Sequence, residues 1–183
     1  MNKVREAVEE VEEVVEDAGA KLRQVESGYA SGEPIELKPY IGLAATYGSL
    51  VAVFALLFRR SGRPLPERVP LVDIAVLGVA TFKLSRLLTR DRVTSFLRAP
   101  FTKYKGPGKA QEVMEEPRGE GAQHAVGELV ACPFCSAQWL GTALACGYVV
   151  APRATRVVGA ALTAVTVADG LQYAHTALQE RFD

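Results

Sequence analysis

Two thiols three positions apart are the residues of this chain best suited to chemistry. Cys132 and Cys135 stand in the sequence Cys-Pro-Phe-Cys, and this spacing is typical of half a metal site or of a redox pair. A third ligand to zinc or iron would be His175 or His124, and no fourth ligand is evident. Three uses therefore stay open for the pair: packing, metal binding with zinc as the candidate cofactor, and thiol redox chemistry.

Three charged residues inside otherwise apolar segments form a second candidate site. Lys83 and Arg86 share one face of a predicted helix. Lys83 and Asp169 lie at nearly the same depth in two segments that run in the same direction. A buried charge is unfavourable alone and tolerable when it is paired, so we predict that Asp169 neutralises Lys83 or Arg86 across a helical bundle. We interpret the pair as a structural ion pair that holds the helices in place, with a proton or ion relay as the alternative.

The chain lacks the patterns on which most enzyme assignments rest. It contains no Gly-rich phosphate loop, no Ser-His-Asp order and no paired-carboxylate motif. We therefore identify no catalytic residue, which favours a protein that is not an enzyme. The 21 basic and 21 acidic residues cancel to a formal net charge of zero, which gives no indication of nucleic-acid binding.

Long apolar segments must position both candidate sites. The residues from Tyr40 to Phe58 carry no charge, and at about 1.5 Å per residue they nearly match a hydrocarbon core of roughly 30 Å. The sequence therefore predicts an all-α, multi-span transmembrane helical bundle of about four spans. The alternative is two crossings, with the second and fourth segments as buried helices. The predicted spans are residues 40–58, 69–90, 130–151 and 157–177.

An acidic helix precedes the bundle. Residues 3–26 repeat small apolar side chains at steps of four and three, a mean period of 3.5 that is typical of a coiled-coil seam. We predict a soluble amphipathic helix and linker over residues 1–38 and a transmembrane domain over residues 39–183. The helix would self-associate, dock on a partner helix or fold back on its own chain. The predicted contact residues are Val4, Val8, Val11, Val15, Ala18, Leu22 and Val25.

A basic, partly flexible connection is predicted over residues 91–129, between the second and third spans. Its first part, residues 92–105, mixes cations with apolar side chains, as expected for a segment that lies at the lipid headgroups. Its second part, residues 106–127, is rich in Gly, Pro, Glu and Lys and is predicted to be mobile.

The basic residues also orient the predicted bundle. With four spans, both termini and the long connection share one side of the membrane. Lys83 and Arg86 extend the basic cluster of the connection to the membrane edge, and basic residues favour the cytoplasmic side. The start of the chain shows no cleavable signal peptide. We therefore predict a multi-pass protein of the plasma (inner) membrane with cytoplasmic termini.

Three stretches of the chain together resemble a known family. They are Ala80–Asp91 with its Lys-Leu-Ser-Arg-Leu pattern, the stretch Phe96–Phe101 of the basic connection, and Glu128–Cys135 followed by Trp139. Over about residues 70–177 the chain is similar to the bacterial membrane proteins grouped as domain of unknown function 1360 (DUF1360). The resemblance implies a small multi-span membrane protein and carries no established reaction.

These observations favour a membrane anchor or scaffold. Its partners would be the lipid bilayer and a protein, either another protein or a second copy, recruited through the N-terminal helix. The alternative is a membrane thiol-redox or metal-binding protein that uses Cys132 and Cys135. A third hypothesis is a small transporter or channel subunit that uses Lys83, Arg86 and Asp169, and the lack of an internal repeat weakens it.

Overall fold

The computed structural model describes residues 2–29, 36–109 and 112–182. Most of this chain is helical, with one two-stranded antiparallel sheet, so the predicted all-α class is confirmed apart from that small sheet. A 3₁₀ turn, Arg92–Thr94, leads into the short fourth helix. The elements are α1 (Asn2–Tyr29), α2 (Lys38–Arg60), α3 (Leu71–Thr89), α4 (Ser95–Arg98), β1 (Thr102–Pro107), β2 (Val113–Pro117), α5 (Gly121–Ala131), α6 (Pro133–Val150) and α7 (Pro152–Phe182).

Among the residues that the structure describes, two helices, α2 and α7, are long and apolar enough to cross a membrane. The pair α5 and α6 is a third candidate if the two helices, which are bent by 81° at their junction, count as one span. The helices therefore indicate a membrane protein with two or three crossings by apolarity, fewer than the four predicted. The predicted span that is not apolar enough is α3, because it carries Asp73, Lys83 and Arg86 within 19 residues.

The helix α3 lies at the centre of the bundle and packs against both α6 and α7. Glycines on the two neighbours allow this close approach. A Cβ added at Gly141 of α6 would lie 3.3 Å from Thr81, and one added at Gly159 of α7 would lie 3.1 Å from Val76. Small residues at such crossings let helix backbones come together in a membrane. The charges of α3 are therefore surrounded by protein on the sides where α6 and α7 pack.

The helix α2 lies at the edge of the bundle. It is described in full, and none of its residues is buried. Its contacts with α6 centre on Tyr47, whose hydroxyl lies 2.7 Å from Thr142 Oγ1 and whose ring meets Trp139 edge to face at 5.1 Å between centroids. Near its start, Tyr40 donates a hydrogen bond of 2.5 Å to Glu128 of α5. The remaining apolar surface of α2 is free to face lipid.

The predicted mobile second half of the connection contains regular structure instead. The strands β1 and β2 pair in antiparallel register, with Thr102 opposite Pro117 and a bulge between Tyr104 and Gly106. The helix α5 then packs on β2. At Gly127 the approach is so close that an added Cβ would meet the carbonyl oxygen of Phe101. The prediction from composition is wrong for these strands and this helix, because tertiary contacts stabilise them.

The predicted third span begins later than expected, at a sharp bend. The helix α5 ends at Ala131, Cys132 has extended backbone angles, and α6 starts with Pro133. Proline lacks an N–H donor and disfavours helical angles in the residue before it, which explains why one continuous helix does not form. The side chain of Ser136 bridges the bend by donating a 2.7 Å hydrogen bond to the carbonyl of Leu129.

The helix α1 extends beyond the predicted residues 3–26 at both ends. Val15 and Val25 are 63% and 57% exposed and Leu22 is half-buried, so most of the described seam is not covered by the rest of the chain. The side chains of Val4, Val8 and Val11 lie outside the described part, as does half of the predicted linker, residues 30–35. Near the end of α1, the Glu26 carboxylate accepts a 2.8 Å hydrogen bond from the backbone N–H of Leu37.

Candidate functional site

An ion pair joins α3 to α7 on the side of the bundle that faces the connection. The ammonium of Lys83 lies 2.8 Å from Asp169 Oδ2, and the two side chains are 15% and 40% exposed. Arg86 turns away from Asp169 and pairs with Glu112, just before β2. The structure thus brings together two of the three residues of the predicted charge cluster and gives Arg86 a different partner.

A second polar cluster ties three helices at the opposite end of the bundle. Arg156 of α7 donates to both carboxylate oxygens of Asp73 on α3, at 2.6 to 3.1 Å. Tyr148 of α6 donates to the same carboxylate at 2.5 Å. This cluster was not predicted from the sequence. The available signal was the position of the two residues, because Asp73 lies near the start of α3 and Arg156 near the start of α7, and the two segments were predicted to run in the same direction.

The two clusters lie about 15 Å apart along α3, since ten residues separate Asp73 from Lys83. Each cluster gives a charge of α3 a counter-charge on α7, where lipid would offer none. Together they fix the register of α3 against α7. These contacts explain why an apolar helix contains Asp73 and Lys83, and the explanation requires no catalytic role.

A third ion pair, which is buried, organises the connection. Arg98 has no exposed surface, and its guanidinium donates to both carboxylate oxygens of Glu115, at 2.7 and 3.1 Å. It also donates to the carbonyls of Leu88 and Asp91. The Thr102 hydroxyl adds a 3.0 Å hydrogen bond to Glu115. The sequence prediction placed the cations of this stretch toward lipid headgroups, and for Arg98 that prediction is wrong.

The two thiols lie side by side at the start of α6. Cys135 Sγ is 2.6 Å from Cys132 Sγ, and the Cys135 N–H donates to Cys132 Sγ at 3.2 Å. Within the described residues, no group of three or more potential ligands could hold a metal ion. His124 lies 3.6 Å from Glu128 instead, and His175 is exposed on α7. The predicted zinc or iron site is therefore not assembled, and the structure gives the metal alternative no support.

The fold and these contacts define a class of protein: a small helical membrane bundle in which Asp73, Lys83 and Arg86 of the central helix are paired with charges on other elements. The chain belongs to the family described as "Protein of unknown function (DUF1360)", which it matches over residues 76–175. The match confirms the resemblance drawn from the sequence motifs. It includes most of α3 and ends within α7, whereas α1 and α2 lie before it.

A relative supports this assignment. The chain is 25% identical to the UPF0713 protein YngL of Bacillus subtilis (strain 168) over 87 residues. The match covers 48% of this chain and 65% of the relative, so it spans less than two thirds of the relative's length. No solved structure matches the chain. Neither description names a reaction or a partner, so the comparisons support neither a catalytic role nor the thiol-based alternative.

Proposed function

We propose that this protein is a membrane-embedded scaffold whose helical bundle anchors α1 at the membrane surface, where α1 pairs with the same helix of a second copy. The observation that carries the proposal is the exposed apolar seam of α1. Val15 and Val25 remain 63% and 57% exposed in the single chain. An amphipathic helix with an uncovered heptad seam gains stability when another helix covers it.

The heptad pattern favours a second copy as that helix. The steps of the repeat assign Val15 and Leu22 to position a and Ala18 and Val25 to position d. The acidic residues then fall mainly at the outer positions b, c and f, where they do not meet the partner. A parallel pair would also place Lys21 at position g opposite Glu26 at position e of the other copy, which is an attractive contact.

The membrane placement supports parallel pairing. The helix α3 lies alongside α6 and α7, with Asp73 contacting Arg156 near one end and Lys83 contacting Asp169 further along. Because α3 lies alongside α7, it reaches the same depth in the membrane if α7 crosses. We therefore propose four crossings: α2, α3, α6 and α7. The helix α1 precedes α2, so two copies in one membrane present α1 on the same face. We propose that this face is the cytoplasmic side of the plasma membrane.

Light scattering on the full-length protein in detergent tests the proposed dimer. We expect the wild-type protein to be a dimer and the variant Val15→Glu with Leu22→Glu to be a monomer. The matched control, Ala20→Glu with Gln24→Glu, adds the same two charges on exposed positions outside the seam and should remain a dimer. A monomeric wild type that binds a different helical protein would contradict self-association. A dimer that survives the seam substitutions would exclude α1 as the interface.

A further inference from the structure

A groove opens between the last turns of α3 and the C-terminal half of α7. Its volume is about 1060 Å³, large enough for a small organic molecule or a lipid headgroup. Phe82 and Tyr173 give it apolar walls and are 53% and 57% exposed. The Lys83–Asp169 ion pair lies in the same wall. The groove therefore joins apolar and charged surface near the end of α3, where the proposed membrane meets water.

The charges of the groove select the kind of ligand. Its lining contains three cations and four carboxylates. Two ion pairs, Lys83 with Asp169 and Arg86 with Glu112, neutralise four of these charges. The remaining lining charges are those of Arg92, Asp91 and Glu180. An anionic ligand would meet a net negative wall, and a simple cation would contact the carboxylates but would leave the Arg92 guanidinium without a ligand group.

We propose that this groove binds the headgroup of a zwitterionic glycerophospholipid with a primary ammonium, of the phosphatidylethanolamine type. The phosphate would contact Arg92, and the ammonium would contact Glu180. A primary ammonium donates charge-assisted hydrogen bonds to carboxylates, whereas the trimethylammonium of a choline lipid has no N–H to donate. The apolar walls at Phe82 and Tyr173 suit the glycerol and the first methylene groups of the chains.

Native mass spectrometry of the full-length protein in detergent tests this assignment. The protein is mixed with equal amounts of phosphatidylethanolamine, phosphatidylglycerol and phosphatidylcholine that carry the same acyl chains. We expect selective retention of phosphatidylethanolamine. Arg92→Gln or Glu180→Gln removes one charge-assisted contact and should lower that retention about tenfold. The matched controls, Lys103→Gln and Glu67→Gln, neutralise exposed charges outside the groove lining and should behave as wild type.

Each possible result of this experiment either supports or overturns the proposal. Equal retention of the three lipids, or groove variants that match the controls, would mean that only unspecific boundary lipid binds, and the proposal would be overturned. Preference for phosphatidylglycerol would overturn the zwitterionic assignment. The inference rests on the proposed membrane placement but not on self-association through α1. Because the same spectra report monomer and dimer masses, failure of the dimer and failure of lipid selectivity are read separately.

Discussion

Arg98 of α4 and Glu115 of β2 face each other inside the connection, with Arg98 Nε 2.7 Å from Glu115 Oε2 and both side chains almost completely buried. The same guanidinium donates to the carbonyls of Leu88 and Asp91. One side chain therefore holds the end of α3, the turn that follows it and the hairpin together. This contact is one of those that attach the hairpin to the end of α3, together with the Arg86–Glu112 pair.

Removing the arginine should destabilise the protein strongly. Arg98→Met leaves the Glu115 carboxylate buried without a counter-charge, and we expect the free energy of unfolding to fall by about 3–5 kcal/mol. Lys103→Met is the control, because Lys103 is exposed on β1 and its loss should change little. Denaturant unfolding in detergent micelles, followed by circular dichroism, measures the difference.

The double variant identifies the cause of that loss. Arg98→Met combined with Glu115→Leu removes both charges, and a buried pair replaced by apolar residues is often nearly neutral. We therefore expect the double variant to recover much of the stability lost in Arg98→Met. A double variant as unstable as the single one would assign the loss to packing and hydrogen bonds to the backbone, against this account.

The ion pair between Lys83 and Asp169 should appear as an energetic coupling. A double-mutant cycle with Lys83→Met and Asp169→Asn compares the two single variants with the combined one. We expect each single variant to lower stability and the pair to show a coupling of about 0.5–3 kcal/mol. Additive losses, with no coupling, would show that the contact contributes nothing to holding α3 against α7. The thermal unfolding midpoint in detergent provides a second readout.

Two glycines offer a matched test of helix packing. Gly127→Ala places a methyl group against the Phe101 carbonyl and 3.1 Å from Pro117, and overpacking of this kind costs about 1–3 kcal/mol. A Cβ at Gly78 of α3 meets nothing within 4 Å, so Gly78→Ala should leave stability unchanged or raise it. Equal effects of the two substitutions on the unfolding midpoint would argue against the close approach of α5 to the hairpin.

The exposed thiol of Cys135 reports the orientation of the bundle. In a protein with Cys132→Ser and Cys146→Ala, Cys135 is the only thiol of the chain, since the sequence has three cysteines. A membrane-impermeant maleimide should label it in inverted vesicles and leave it unlabelled in intact cells. Labelling in intact cells would place the connection outside the cell and reverse the proposed topology.

The ion pair of Lys83 on α3 is a contact that the sequence predicts well. The rise of a helix and the shared direction of two segments put Lys83 and Asp169 at nearly the same depth, and the structure places the two side chains 2.8 Å apart. Helix depth did not identify the partner of Arg86. Glu112 lies in a segment between the spans, and no helical period could bring that segment to the end of α3.

The connection shows where the sequence falls short. Arg98 stands among several cations in a stretch with exposed apolar neighbours, and nothing local distinguishes the buried one. Its partner Glu115 lies 17 residues further along, across a strand turn that composition suggested was mobile. The weak signal available was a pair of short segments separated by glycine and proline, which is a hairpin pattern. Only the tertiary fold selects which arginine turns inward.

The central claim is that α1 joins two copies of the protein at the membrane, and cysteine crosslinking in native membranes tests it most directly. In a protein lacking the three native thiols, Leu22→Cys places a thiol at a seam position, and Gln24→Cys places one two residues away on an outer position. Mild oxidation should give a covalent dimer for Leu22→Cys and mostly monomer for Gln24→Cys. Monomer for both variants, or equal dimer for both, would contradict the proposed interface.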